Sequence, residues 1–128
     1  MNARRVMIID DEPGFTRLLK LTLEKTGGFE VLEENDGTRA WLKAREFAPD
    51  IIFLDVVMPE IDGGDVAQQI RSDPMLAHVP IVFLTAIVSA KEGGHEIGGF
   101  PFLAKPVSLD AVIGSIEREC GAAGANPH

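Results

Sequence analysis

The 128-residue chain carries 12 Lys plus Arg against 20 Asp plus Glu, a net charge of -8, and without a segregated basic patch such a balance disfavours nucleic acid and anionic lipid as direct partners. Its length suits one domain that buries about two thirds of the surface the unfolded chain exposes. The single cysteine, Cys120, argues against a disulfide scaffold and for a reducing, cytoplasmic setting, and apolar runs of only a few residues argue against a membrane span or a secretory leader.

The first apolar run, residues 6–9, reads as a strand buried on both faces, followed by the acids Asp10 and Asp11. A helix is expected over residues 13–25, because Pro13 suits a first helical turn and Gly27-Gly28 supplies a stop. A weaker strand follows at 29–32 and a second helix at 38–47. The run 51–54, "IIFL", is a third strand, and it ends on Asp55 before Val56, Val57 and Met58 resume the apolar pattern. A third helix covers 65–72 and stops at Asp73-Pro74; a fourth strand covers 81–84 and meets Thr85; a weaker fifth strand covers 100–104 and meets Lys105. The last helix starts after the candidate cap Ser108, carries Leu109, Val112, Ile113 and Ile116 on one stripe, and closes at Gly121.

Strands alternating with helices predict an α/β doubly wound parallel sheet with right-handed crossovers, whose ligands sit outside the carboxyl ends of the strands. Those ends carry Asp10, Asp11, Asp55, Thr85 and Lys105. Two carboxylates about 4 Å apart repel by roughly 4 kcal/mol at an effective dielectric near 20, so a cluster of three calls for a counter-charge. All-oxygen ligands without clustered His or Cys favour Mg²⁺, with Mn²⁺ as the alternative, and Lys105 adds a second cation. A hard cation, a hydroxyl and an ammonium beside an apolar-flanked carboxylate describe a place for a phosphoryl group, with Asp55 as nucleophile. Each element alone admits a structural reading. "DDEP" is a strand-to-helix cap, Asp55 a turn residue, Thr85 a strand-end hydroxyl bonded to backbone, and "KP" a surface turn.

The pieces "IIDDEP", "DVVMPEIDGG", "FLTA" and "FLAKP" closely resemble the receiver domain of two-component response regulators, the chemotaxis-regulator type included, and the resemblance spans nearly the whole chain. It implies a flavodoxin-like five-stranded parallel sheet in the order 2-1-3-4-5, with residues 1–120 as the receiver domain and 121–128 as a flexible tail. It implies that Asp11, Asp55 and the backbone carbonyl of Val57 ligate Mg²⁺, with Asp10 contributing through water. Asp55 would accept a phosphoryl group from a sensor histidine kinase or phosphotransfer protein, paired with Lys105 next to a cis Lys105-Pro106 bond. Gly63 would permit a backbone turn closed to other residues. Thr85 and Phe102 would form the switch that reshapes a surface for a downstream protein of unknown identity, or for a homodimer. Phe102 also reads as a plain core aromatic beside Phe100. The implied domain is a signalling switch that assists its own phosphorylation and dephosphorylation, not an enzyme with a separate substrate.

The chain departs from this family between Thr85 and Lys105. Gly93, Gly94, Gly98 and Gly99 stand where a fourth helix is expected, and each costs up to about 1 kcal/mol against Ala inside a helix, so a shortened or irregular fourth helix is predicted. Val57 and Ile87 offer no polar side chain to orient attacking water, which predicts slow loss of a phosphoryl group. A phosphomonoester hydrolase would commonly place a second acid at position 57, and an adaptor independent of phosphorylation would not need the acid set. Trp41 reads as packing, Cys120 as a helix-packing residue, and His78, His95 and His128 share no ligand spacing.

Overall fold

The computed structural model describes residues 3–86 and 96–121. Apolar runs become strands because both faces of the central sheet are covered. β1 (Arg4–Ile9), β2 (Phe29–Glu34), β3 (Ile51–Asp55), β4 (Ile81–Thr85) and β6 (Phe100–Ala104) run parallel in the order β2-β1-β3-β4-β6. This is the five-stranded 2-1-3-4-5 arrangement, extended at one edge by β5 (Glu96–Ile97), which pairs antiparallel with β6.

The small edge strand accounts for two of the glycines read above as helix breakers. Gly98 and Gly99 adopt φ of 57° and 88° between the two strands of this hairpin, the positive-φ pair that a tight two-residue hairpin turn demands. Gly93, Gly94, and with them most of the expected fourth helix, lie outside the described residues, as do Ile87 and residues 122–128 of the expected tail.

Alternation along the strands divides the core. Val6, Ile8, Phe53 and Leu84 pack under α1 (Pro13–Thr26) and α4 (Leu109–Cys120), whereas Met7, Ile9, Leu54 and Phe83 face α2 (Ala40–Phe47) and α3 (Gly63–Arg71). Cys120 packs against the first of these cores, as a helix-packing residue should. A short 3-10 turn, Gly37–Arg39, leads into α2. Helix ends follow local chemistry. Pro13 opens α1, the Ser108 hydroxyl caps α4 by accepting from the Ala111 amide at 3.0 Å, and Asp62 caps α3 through the Gly64 amide at 2.8 Å. Glu12 occupies the N-cap position of α1 but its side chain makes no capping bond, while Asp10 Oδ1 accepts from the Glu12 amide at 3.0 Å. Among the described residues no helix is long and apolar enough to cross a membrane.

Candidate functional site

Strand register brings the polar residues together. Ile9 is level with Leu54, Asp55 with Leu84, and Thr85 with Ala104, so Asp10, Asp55, Thr85 and Lys105 follow one another across the carboxyl edge of the sheet. Backbone bonds extend the ladder past the strand ends, from Asp10 N to Glu34 O at 3.1 Å and from Lys105 N to Thr85 O at 2.8 Å. Asp10, Asp55 and Lys105 each stand two residues after a side chain of the α1/α4 core, namely Ile8, Phe53 and Leu103, and alternation therefore directs them to one side. Thr85 follows Phe83 of the opposite core, and Phe102, level with Phe83, packs against that core too.

The Lys105 ammonium lies 2.7 Å from Asp10 Oδ2, 3.2 Å from Glu12 Oε1 and 3.8 Å from Asp55 Oδ1. It also stands 4.9 Å above the Phe15 ring, close enough for a cation–π contact. Asp10 is fully buried; its Oδ1 accepts from the Glu12 amide at 3.0 Å, while Oδ2 has no hydrogen-bond partner and is compensated by the ammonium charge alone. Asp55 is 6% exposed, and its Oδ1 accepts from the Val57 amide at 3.4 Å. Burial, then the charge of Asp10, pushes the Asp55 carboxyl up to about 6 against the pull of Lys105 and the Val57 amide. Burial also raises Asp10, with Lys105 opposing. Lys105 loses solvation, which lowers its pKa, yet the close Asp10 carboxylate, with Asp55 and Glu12 beside it, outweighs that and holds it above the usual lysine value.

Asp10, Asp11 and Asp55 each offer a carboxylate oxygen within 4.8 Å of the others. An orphaned buried oxygen, three carboxylates and a donor set made only of oxygen fit a hard divalent cation. The surrounding cleft, about 320 Å³, is lined by Asp11, Glu12, Asp55, Val57, Ala86 and Lys105. Val57 is 61% exposed at its rim.

A family model described as the response regulator receiver domain matches residues 6–117. The chain belongs to this family. Such domains belong to two-component signalling, and response regulators receive signals from histidine kinases and act on downstream targets. This receiver domain is 39% identical over 121 residues to the response regulator PleD of Caulobacter vibrioides, covering 89% of this chain and 26% of that protein. It is 32% identical over 114 residues to the DNA-binding dual master transcriptional regulator RpaA of Synechocystis, covering 88% of this chain and 47% of that one. The chain thus spans half or less of the length of these two relatives. Among solved structures, the chemotaxis protein CheY4 of Vibrio cholerae superposes with a TM-score of 0.78 at 28% identity, covering 91% of this chain and 98% of that one.

Three features of the receiver site were not visible in the sequence. Glu12 and Phe15 both meet Lys105 across 90 residues or more of chain. Asn35 donates to the Asp10 carbonyl at 2.7 Å and to the Thr16 hydroxyl at 2.9 Å, fixing the acid turn from β2's side. The Gly63 expectation needs a different reason. Its φ is not positive; a Cβ there would strike the Asp55 carbonyl oxygen and lie 2.8 Å from Val56 Cα. Close backbone approach, rather than a special turn, requires glycine. The Lys105-Pro106 bond is cis.

Proposed function

We propose that this receiver domain, residues 1–120, accepts a phosphoryl group on Asp55 from a phosphohistidine of a sensor kinase or phosphotransfer protein. The observation carrying this reading is the placement of Asp55 Oδ1 3.8 Å from the Lys105 ammonium, with the carboxylates of Asp10 and Asp11 beside it. Mg²⁺, or Mn²⁺ in its place, would be held by Asp11, Asp55 and the Val57 carbonyl, with Asp10 contributing through water, and supplies charge neutralisation at the phosphoryl oxygens.

In the transfer, an Asp55 carboxylate oxygen forms a bond to phosphorus as the P–N bond breaks, and the imidazole retains that electron pair and takes up a proton. Lys105 gives up part of its hold on Asp10 to meet a phosphoryl oxygen. Thr85 and Phe102 then act as the switch, and the altered face is read by a downstream protein or a second copy of the chain. The domain is a cytoplasmic switch that chemically assists its own modification and does not itself bind nucleic acid. Val57 presents no polar group to attacking water, so the acyl phosphate outlives the seconds scale.

Incubation with Mg²⁺ and acetyl phosphate, followed by intact mass measurement, tests this reading. The expected result is a single persistent phosphate on the wild-type protein and none on Asp55→Asn. Rapid donor turnover without an adduct would point to a hydrolase, and no reaction at all to an adaptor.

A further inference from the structure

Three acids face the Lys105 ammonium, and they are not equivalent. Asp10 and Asp55 are buried and belong to the cluster that fits a cation. Glu12 is the third, at 3.2 Å, with its side chain 65% exposed at the mouth of the cleft. Its side chain does not cap α1. Its carboxylate accepts from the Lys105 ammonium. Glu12 therefore has two consequences for whatever approaches Asp55. It occupies the ammonium that an incoming phosphoryl oxygen must recruit, and it adds a negative charge where a donor enters.

We infer that Glu12 is a positioning and specificity residue that biases the site against small anionic phosphoryl donors, by tethering Lys105 outward and by charging the mouth of the cleft. This rests on Asp55 being the phosphoryl acceptor. A protein donor answers Glu12 with a cation of its own surface beside the phosphohistidine, whereas a free small donor has none to offer. The partner chemistry that follows is a basic side chain on the kinase or phosphotransfer protein, facing Glu12.

The test compares wild type, Glu12→Gln and Glu12→Asp with two donors, doubly negative acetyl phosphate and singly negative phosphoramidate, at saturating Mg²⁺, with rates read by intact mass. A charge about 6 Å from the donor in water-like surroundings changes the rate about threefold for each donor charge. Glu12→Gln should therefore speed acetyl phosphate about tenfold and phosphoramidate about threefold at low salt, with both gains shrinking as salt rises. Glu12→Asp keeps the charge and should stay near wild type in its donor preference. In protein without metal, the Lys105 ammonium resonance should shift in Glu12→Gln while the unfolding temperature stays put.

A protein that takes no phosphate from either donor, both as wild type and as Glu12→Gln, would remove the proposed function and this inference together. A wild-type protein that is phosphorylated, beside a Glu12→Gln variant with unchanged rates, equal gains from both donors, or an unmoved Lys105 resonance, would overturn this inference alone.

Discussion

Lys105 and Asp10 form the shortest ion pair of the site, 2.7 Å between Nζ and Oδ2, and that oxygen is buried with no hydrogen bond to support it. The pairing is one-sided in its consequences. Lys105 retains Glu12 and Asp55 if Asp10 is removed, but among the described residues Asp10 forms no second ion pair. Lys105→Met should therefore leave a buried charge exposed to its full desolvation cost, on the order of 3 kcal/mol in protein without metal. Urea unfolding is the measurement, and added Mg²⁺ should recover much of the loss by binding the folded state.

A second expectation concerns pH. An unfolded aspartate titrates near about 3.9, whereas the folded Asp55 carboxyl is pushed up to about 6. Between those values the folded state holds the extra proton, so stability falls as pH rises through the window and then levels off. Asp55→Asn removes this penalty along with the smaller attraction to Lys105. Without metal the variant should be more stable than wild type by about 1 to 2 kcal/mol near neutral pH, with the difference fading toward about pH 4. Chemical denaturation across pH gives the answer, and a variant less stable than wild type at neutral pH would contradict it.

Glycine substitution separates two neighbours. At Gly63 a methyl group meets the backbone of Asp55 and Val56, which cannot step aside without moving the acceptor loop. At Gly64 the nearest atom is Asp62 Oδ1, 3.5 Å away, an ordinary contact. Gly63→Ala should cost about 2 kcal/mol or more and weaken Mg²⁺ binding, whereas Gly64→Ala should change stability by less than about 1 kcal/mol. Thermal unfolding and calorimetric Mg²⁺ titration distinguish them.

Trp41, the chain's one tryptophan, reports on a separate ion pair. Its indole N–H donates to Asp73 Oδ2 at 2.8 Å, and Arg45 Nε lies 3.3 Å from the same oxygen. The Met75 amide, with Trp41 and Arg45 behind it, holds the Asp73 carboxyl below the usual aspartate range despite opposing burial. The stabilisation is therefore present above the ordinary aspartate pKa and is lost as pH falls through the lower folded value. Trp41 fluorescence should show a step below the ordinary aspartate range, and Asp73→Asn should abolish it. An identical acid titration in that variant would refute the assignment.

The sequence was enough for the strands, the doubly wound class and the identity of the acids and the lysine. Runs such as "VMII" and "IIFL" are too apolar to be anything but buried on both faces, and a parallel sheet then sends whatever follows them to one edge. Helix limits were legible where a cap or breaker is local, as at Pro13, Ser108 and Gly121. The edge hairpin was not, because Gly98-Gly99 is equally a helix breaker and a turn until a neighbouring strand is there to pair with. Trp41 looked like packing, yet only the placement of α2 against the end of α3 gives its indole N–H the Asp73 carboxylate.

Tertiary structure alone decided which acid holds Lys105. Chain order puts Glu12 beside Asp10 and Asp11, but says nothing of a lysine 93 residues away. That contact exists because β1 and β6 end at the same edge with β3 and β4 between them. Register fixes distance across a sheet to within a side chain's reach, and register is a property of strands paired together, not of any one strand's residues.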